Sequence, residues 1–329
     1  YISEAINNKA AGYLTMNRDQ LGHFANDIFD NPSKLLTVIG VTGTNGKTTV
    51  VNVVNELLNK KGFKSICIGT LNARLTTPES IEVIKMMKNH LDQGGTHFVM
   101  EVSSHGIDQQ RVHGFQFDVK CLTNITQDHL DYHHTFEAYK KTKEHFINTY
   151  PGKSIQSHNL PLLESHKLPS IQGDIHLKNI NLALHACFEL GIDEHDALQT
   201  LPYLLPPEGR MEPIQMGQVE DIIIDFAHTP DGLDNVLNDA KKILRKNQKL
   251  KVVFGCGGER DVLKRKAMGS VAEKHTPHIV LTADNSRSEH THQIIQDIKC
   301  GIANPNHVVG EFEFREEAID WVIQKLSEF

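Results

Sequence analysis

The clearest signal along the chain is an apolar run, LTVIGV from Leu36 to Val41, followed after a short polar and glycine-rich stretch by VVNVVNELLNKK, whose apolar positions recur at helical spacing. The first reads as a strand buried on both faces, as in a parallel sheet, and the second as an amphipathic helix. The alternation continues. Strands are expected at KSICIGT, THFVMEVSS and DVKCLTNI, with a helix around IEVIKMMKNHLDQ and another in the second half of ITQDHLDYHHTFEAYKKTKEHF. Residues 151–172 hold three prolines and little periodicity, so they read as a loop region before the helical LKNINLALHACFELG. LPPEGRMEP reads as a hinge. Beyond it a second unit alternates strands DIIIDFAH, KLKVVFGC and HIVLTADN with helices such as DGLDNVLNDAKKILRK and THQIIQDIKCGI, and EEAIDWVIQKLSEF forms a last helix. Residues 1–32 contain one helical stretch, RDQLGHFANDIF, ended by Asn31-Pro32-Ser33, and are too short to hold a core of their own.

Between the first strand and its helix lies Gly43-Thr44-Asn45-Gly46-Lys47-Thr48-Thr49. Glycines there let successive backbone N–H groups turn toward one point, the helix N-terminus adds partial positive charge, and Lys47 supplies a mobile cation. This is a phosphate cradle, and Thr48 would offer its hydroxyl to a magnesium ion bridging the outer phosphates. A lone G-x-x-G would be explained as well by a turn that merely needs glycine. The full order of strand, GxxGKTT and helix favours phosphate binding. Ligands of such sheets gather at the carboxyl ends of the strands, where Gly43, Glu101 and Asn124 fall. The expectation is an α/β chain: a central P-loop ATPase domain with a mostly parallel sheet over residues 33–207, then a smaller Rossmann-like domain over residues 208–329.

Composition narrows the partners. At 329 residues and 39% hydrophobic residues the chain can hold two cores, and 23% charged residues argue against wholesale disorder. A net charge of -7 without any dense Lys/Arg block argues against nucleic acid. No apolar run reaches the roughly 20 residues needed to cross a bilayer, and the opening residues YISEAINNKAAGYL lack a signal-peptide pattern, so a cytoplasmic protein without membrane insertion is expected. Five scattered cysteines without a CxxC pair suit reduced thiols, not a disulfide framework or a zinc ribbon. The 20 histidines include no HExxH, and most are expected to be surface or structural residues.

GVTGTNGKTT, MEVSSHGIDQQRV, TNITQDHLDYH, EGRME, DFAHTPDGL, FGCGGERD and TADNSRSE, in this order, resemble the Mur ligases of peptidoglycan synthesis over roughly residues 25–329. Among these, GxxGKT is shared with many ATPases, whereas EVSSHG, DHLDYH and DFAHTPD are far more specific. The motifs are most similar to the members that add the third residue of the stem peptide. The resemblance implies that ATP phosphorylates the γ-carboxylate of D-glutamate in UDP-N-acetylmuramoyl-L-Ala-D-Glu, and that an incoming amine attacks the acyl phosphate. Phosphorylation replaces an impossible oxide leaving group with phosphate. By the same resemblance Lys47 contacts the outer phosphates and Thr48 a first Mg2+, while Glu101, His129 and Lys143 hold a second, Lys143 as a carbamate. Lys143 follows Tyr139 by four residues and so shares its helical face. Taken singly, Glu101 would be a strand-end salt bridge, His129 a satisfied loop histidine and Lys143 part of a solvated basic face. Their joint occurrence favours the metal site.

The resemblance further assigns Thr76, Thr77, Ser103, Gln109 and Arg111 to the muramoyl dipeptide, Asn179 to adenine, and Arg210, Asp225 and His228 to ribose and phosphates. Arg260, Asp284, Asn285 and Arg287 are expected to select the amino acid. Members that add meso-diaminopimelate usually carry D-N-P-R, whose arginine grips the distal carboxylate. Here Asp284-Asn285-Ser286-Arg287 has serine for proline but keeps the arginine, which favours meso-diaminopimelate over L-lysine. Against the family pattern, most of the N-terminal UDP-binding domain and a C-terminal K-G-H-E segment are not in this sequence, and the 151–172 region is short. Residues 1–32 are thus expected to be a remnant of that domain, the C-terminal domain to be incomplete at its end, and the chain to act as a monomer. Two other Mur-type or ATPase readings fit less well. Folylpolyglutamate synthases usually carry GTNGKGS where Lys47-Thr48-Thr49 stands, and a generic P-loop kinase would leave DNSR and DFAHTP without a role. A nucleotide-binding module without ligation activity would need no second metal site.

Overall fold

The computed structural model describes residues 7–9, 14–161, 174–204, 207–218, 220–246, 248–259 and 261–325. The first unit runs α1 (Arg18–Ile28), α2 (Pro32–Leu35), β1 (Thr37–Thr42), α3 (Lys47–Lys60), β2 (Ser65–Ile68), α4 (Ser80–Asp92), β3 (His97–Glu101), α5 (Ser104–Asp108), β4 (Val119–Leu122), α6 (Leu130–His133), α7 (Phe136–Thr149), β5 (Lys153–Gln156), α8 (Asp174–Glu189) and α9 (Glu194–Thr200). Its strands form one parallel sheet in the order β2-β3-β1-β4-β5. β1 lies at its centre, and Val38, Ile39 and Val41 are fully buried, as a strand covered on both faces must be.

Each face has its own apolar layer. On one, Val50, Val54, Leu57 and Leu58 of α3 meet Ile180, Ala183 and Leu184 of α8. On the other, Val83, Ile84 and Met87 of α4 meet Phe146 and Ile147 of α7. Ala25 of α1 joins this second layer, and a Cβ at Gly22 would collide with the His113 carbonyl, so α1 rests directly on the sheet domain. Arg18 pins the start of α1 to Glu79, 3.3 Å away.

The second unit runs β6 (Glu212–Ile214), β7 (Ile222–Ile224), α10 (Pro230–Ile243), β8 (Val252–Phe254), α11 (Leu263–His275), β9 (Ile279–Leu281), α12 (Thr291–Lys299), β10 (Val308–Glu311) and α13 (Arg315–Gln324). β8, β9 and β10 form a parallel sheet in the order β10-β9-β8. Its core joins Leu233 and Leu237 of α10, Met268 of α11 and Ile294, Ile295 and Ile298 of α12.

Three sequence expectations are corrected. Residues 153–156, within the stretch read as loop, form β5, which pairs with β4 from Val119↔Lys153 to Leu122↔Gln156. The rest of that stretch from 162 to 172 lies outside the described residues. DIIIDFAH does form a strand, but it pairs antiparallel with Glu212–Ile214, in the stretch read as hinge, instead of joining the parallel sheet. THFVMEVSS leaves extended structure at Glu101. Ser103 then caps α5, accepting from the Gly106 N–H at 3.0 Å.

Candidate active site

β1 ends at Thr42 and passes into a turn whose two glycines have positive φ, +143° at Gly43 and +87° at Gly46. A Cβ at Gly43 would strike the Thr123 hydroxyl, and one at Gly46 the side chain of Asn179 from α8. Glycine is therefore required at both by backbone angle and by space. Asn124 braces the turn: its Oδ1 accepts from Asn45 N at 3.0 Å and its Nδ2 donates to Asn45 O at 3.1 Å. Thr44 Oγ1 lies 2.9 Å from the Tyr139 hydroxyl. Lys47, first residue of α3, folds its ammonium back onto the carbonyls of Gly43 and Thr44, at 2.9 and 2.8 Å. Burial lowers its pKa, against the opposing charges of Glu101 and Asp128. Thr48 and Thr49 follow, both buried in the first turn.

Glu101, at the carboxyl end of β3, is 1% exposed. It accepts from Thr48 Oγ1 at 3.0 Å and from Thr70 N at 2.8 Å. Gly69 leaves room for this carboxylate, since a Cβ there would collide with Glu101 Oε1. The pair fits a metal. Adjacent ligands of an octahedral ion with bonds of about 2.1 Å stand roughly 3 Å apart, and Thr48 Oγ1 and Glu101 Oε1 are two such hard oxygens.

Lys143, on α7, is 1% exposed. Its Nζ donates to Gly43 O at 2.8 Å and stands 4.7 Å from the centre of the Tyr139 ring. Burial, and then the charge of Lys47, hold its pKa well below the ordinary lysine value, because burial penalises the charged form. His129, at φ +54°, sits where the chain turns into α6. Burial brings its pKa down to about 3, with Asp128 opposing, which leaves a neutral imidazole able to act as a ligand. Among the described residues no three His, Cys, Asp or Glu side chains converge as a ready-made metal cluster. Thr48 and Glu101 are joined directly, whereas Lys143 meets Gly43 and Tyr139 and His129 stands beside Asp128.

The second unit reaches into this site. Arg210 Nη2 donates to Thr48 Oγ1 at 3.0 Å, and its guanidinium stacks 4.8 Å from the Phe226 ring centre. Asp225 orients the approach, accepting from Met211 N at 2.9 Å and Ala227 N at 2.8 Å. His228 Nε2 lies 3.7 Å from Asp128 Oδ2. Burial works to raise the Asp128 pKa, but the nearby His228 and His129 outweigh it and hold the carboxyl well below the usual carboxylate range.

A second group of expected residues lines the adjoining wall. Thr77 Oγ1 lies 2.9 Å from Glu101 O and 3.1 Å from Ser103 Oγ, and Thr76 Oγ1 lies 3.1 Å from Thr70 Oγ1. Arg111 donates to Thr77 O at 2.8 Å and to Gln109 Oε1, and its Nε stands 3.2 Å from Glu79 Oε1. These five residues are therefore continuous with Glu101. Asp284, Asn285 and Arg287 are not. They lie beyond β9, where Asp284 pairs with Arg315 at 3.3 Å, Asn285 O accepts from Gly258 N at 2.8 Å and Arg287 Nη1 donates to Gly258 O. Arg260 lies outside the described residues.

Sequence reasoning passed over Asp128, Asp231 and Thr70. Asp231 Oδ2 accepts from Asn45 Nδ2 at 3.2 Å and from Thr126 Oγ1 at 3.4 Å, joining α10 to the phosphate turn. Asp128 and Asp231 lie inside DHLD and DFAHTPD, so the signal was present in motifs already singled out. For Thr70 nothing local gives it away.

Residues 41–164 match the Mur ligase middle domain, and residues 209–328 match the Mur ligase, glutamate ligase domain. The chain is similar to the UDP-N-acetylmuramoyl-L-alanyl-D-glutamate--2,6-diaminopimelate ligase of Geobacillus kaustophilus, with 32% identity over 94% of this chain and 76% of that protein. It is also similar to the Clostridium tetani protein of the same name, with 35% identity over 92% of this chain and 72% of the relative. A solved structure of a ligase of that name superposes with TM-score 0.58 and 28% identity, over 94% of this chain and 74% of the other. Mycobacterium tuberculosis folylpolyglutamate synthase, complexed with ADP and AMPPCP, superposes with TM-score 0.73 at 15% identity over 94% of this chain and 89% of the other, a likeness of fold.

Proposed function

The chain belongs to the Mur ligase family, and from that premise we propose that it joins meso-diaminopimelate to the D-Glu γ-carboxylate of UDP-N-acetylmuramoyl-L-Ala-D-Glu at the expense of ATP, with Mg2+. One observation carries the reading. Lys47, Lys143 and Arg210 are three basic groups around a single phosphate turn, Lys143 buried and the other two half-buried, and desolvation lowers the pKa of each. Lys47 and Arg210 both feel the charge of the buried Glu101 carboxylate. Basic side chains and backbone amides gathered at one turn suit a polyanion, and a triphosphate passing its γ-phosphoryl to a carboxylate is one.

Lys47 and the amides of the turn would cradle the outer phosphates, and Arg210 would close over them from the second unit. The γ-carboxylate oxygen attacks phosphorus as the bond to ADP breaks, giving an acyl phosphate. The amino acid's amine then attacks the carbonyl carbon, phosphate departs with its oxygen, and the amine loses a proton. Thr48 would hold one magnesium ion, and Glu101, His129 and a carbamylated Lys143 a second, and their charge would offset the negative charge spread over the transferring oxygens. Carbon dioxide adds to an uncharged amine, the form toward which burial works at Lys143. Arg111, already held by Thr77 and Gln109, suits a substrate carboxylate because its guanidinium binds bidentately.

The test is product mass and phosphate release with ATP, magnesium, the nucleotide dipeptide and either meso-diaminopimelate or L-lysine. Product with diaminopimelate alone supports the reading and gives Arg287 its role. Product with lysine alone keeps the chemistry and overturns the specificity, and no product with either removes the ligase reading.

A further inference from the structure

Arg265, on α11, heads the largest fully buried side chains among the described residues, 1% exposed in the second unit. Its guanidinium donates to Glu289 Oε2 at 2.8 Å and Glu289 Oε1 at 2.9 Å, to Asp297 Oδ2 at 2.8 Å and to Gly257 O at 3.3 Å. Glu289 in turn accepts from the Glu259 N–H, and Ser288 Oγ donates to the Glu259 carboxylate. Two loops are thus clasped together. One follows β8 and carries Gly257, Gly258 and Glu259; the other follows β9 and carries Asp284 to Glu289. The clasp leaves no room for a side chain at Gly258, where a Cβ would collide with Ser286 O. Glu259 and Arg287 both have left-handed backbone, at φ +52° and +51°. Non-glycine residues hold such angles only where their surroundings fix them.

Resting on the ligase reading above, we propose that Arg265 and Glu289 are positioning residues for amino-acid selection: their bidentate pair fixes the loop from Asp284 to Arg287 against the Gly257–Glu259 loop and so aims the Arg287 guanidinium. Neither need touch the substrate. Arg265 is buried behind the loops, and Glu289 spends both carboxylate oxygens on it and on Glu259. The ligand class they serve is an amine that carries a distal carboxylate, since that is what an exposed arginine on a fixed loop can distinguish.

The test uses the full chain and its Glu289→Gln and Asp297→Asn variants, with apparent KM measured separately for the amino acid, ATP and the nucleotide dipeptide. Glu289→Gln keeps the shape but removes the charge from the clasp. The amino-acid KM should rise roughly tenfold relative to the other two constants, the size expected when a charge-assisted hydrogen bond is lost. Asp297→Asn removes a charge from Arg265 that touches neither loop, and should lower the melting temperature without changing the ratio of the three constants. A merely structural clasp would lower the melting temperature in both variants and leave that ratio constant in both, which overturns the inference. An equal rise in the amino-acid KM for Asp297→Asn overturns it as well. Hydroxylamine, an amine without a distal carboxylate, separates this from the ligase reading. If the unaltered chain forms no hydroxamate, the acyl-phosphate chemistry itself is wrong. If it does and Glu289→Gln leaves the KM ratio unmoved, only the positioning role falls.

Discussion

Lys143 shows most directly how a residue is made ready for chemistry at the expense of stability. Its amine is buried, its pKa is held well below the ordinary value first by burial and then by Lys47, and its acceptor, Gly43 O, is already served by Lys47. Replacement by Met therefore removes a desolvated amine without orphaning a carbonyl. Lys143→Met should melt no lower than the unaltered chain while turnover falls roughly a hundred- to a thousandfold, the usual cost of losing one charge-stabilising group. Lys143→Ala should fall similarly and recover part of its rate with added formate, a small anion that can stand where a carbamate would. Near-normal turnover in either variant would remove Lys143 from the metal site. The family resemblance singled out this residue through Tyr139 and Lys143, four apart on one helical face, yet its burial was not readable. Lys140 and Lys141, three and two residues earlier, look the same in the sequence, and Lys140 pairs with Glu144 at the surface.

At the scale of elements, long apolar runs were legible and short or half-exposed ones were not. β1 could be placed because every residue from Val38 to Thr42 is buried, and such a run has few other homes. β5 was missed because it is a four-residue edge strand with Lys153 and Ser154 exposed, so it has neither an apolar run nor clean alternation. β7 was found and misassigned: Ile222, Ile223 and Ile224 read as a core strand, but Ile224 is 48% exposed on a two-stranded ribbon. The clasp between the β8 and β9 loops was equally hidden, because Arg265 and Glu289 lie 24 residues apart without a motif to join them. That clasp has a pH signature. The Glu289 pKa is lowered from 4.5 to about 2, first by the hydrogen bond from Arg265 and then by the Glu259 N–H. Between those values the unfolded chain binds the proton more readily than the folded one, so the stabilisation is complete above pH 4.5 and is lost as pH falls toward 2. Glu289→Gln should flatten the fall in melting temperature over that interval; parallel curves for the two proteins would show that the pair adds nothing.

Over the whole molecule, the two units meet through polar contacts to the phosphate turn itself. Arg210 reaches Thr48, Asp231 reaches Asn45 and Thr126, and His228 approaches Asp128. The site is complete only when both units contribute, which is how binding of nucleotide can be coupled to assembly of the catalytic groups. Asp231→Ala should lower kcat/KM for ATP roughly tenfold by removing charge-assisted hydrogen bonds between the units. It should also enlarge the radius of gyration measured by small-angle scattering. No change in either would mean that Asp231 does not hold the units together. The motifs could be read in the sequence, whereas the meeting of the two units depends on contacts between residues 105 to 186 positions apart, which no local pattern encodes.

The central claim is that this site transfers a phosphoryl group to a carboxylate before the amide forms, and the fate of one oxygen atom tests it most directly. The nucleotide dipeptide would be prepared with a heavy oxygen isotope in its D-Glu γ-carboxylate, and the phosphate released during turnover with meso-diaminopimelate analysed by mass. An acyl phosphate requires the bridging oxygen to leave with phosphate, so each phosphate should carry one oxygen from the labelled carboxylate. Product formed with unlabelled phosphate would contradict the account.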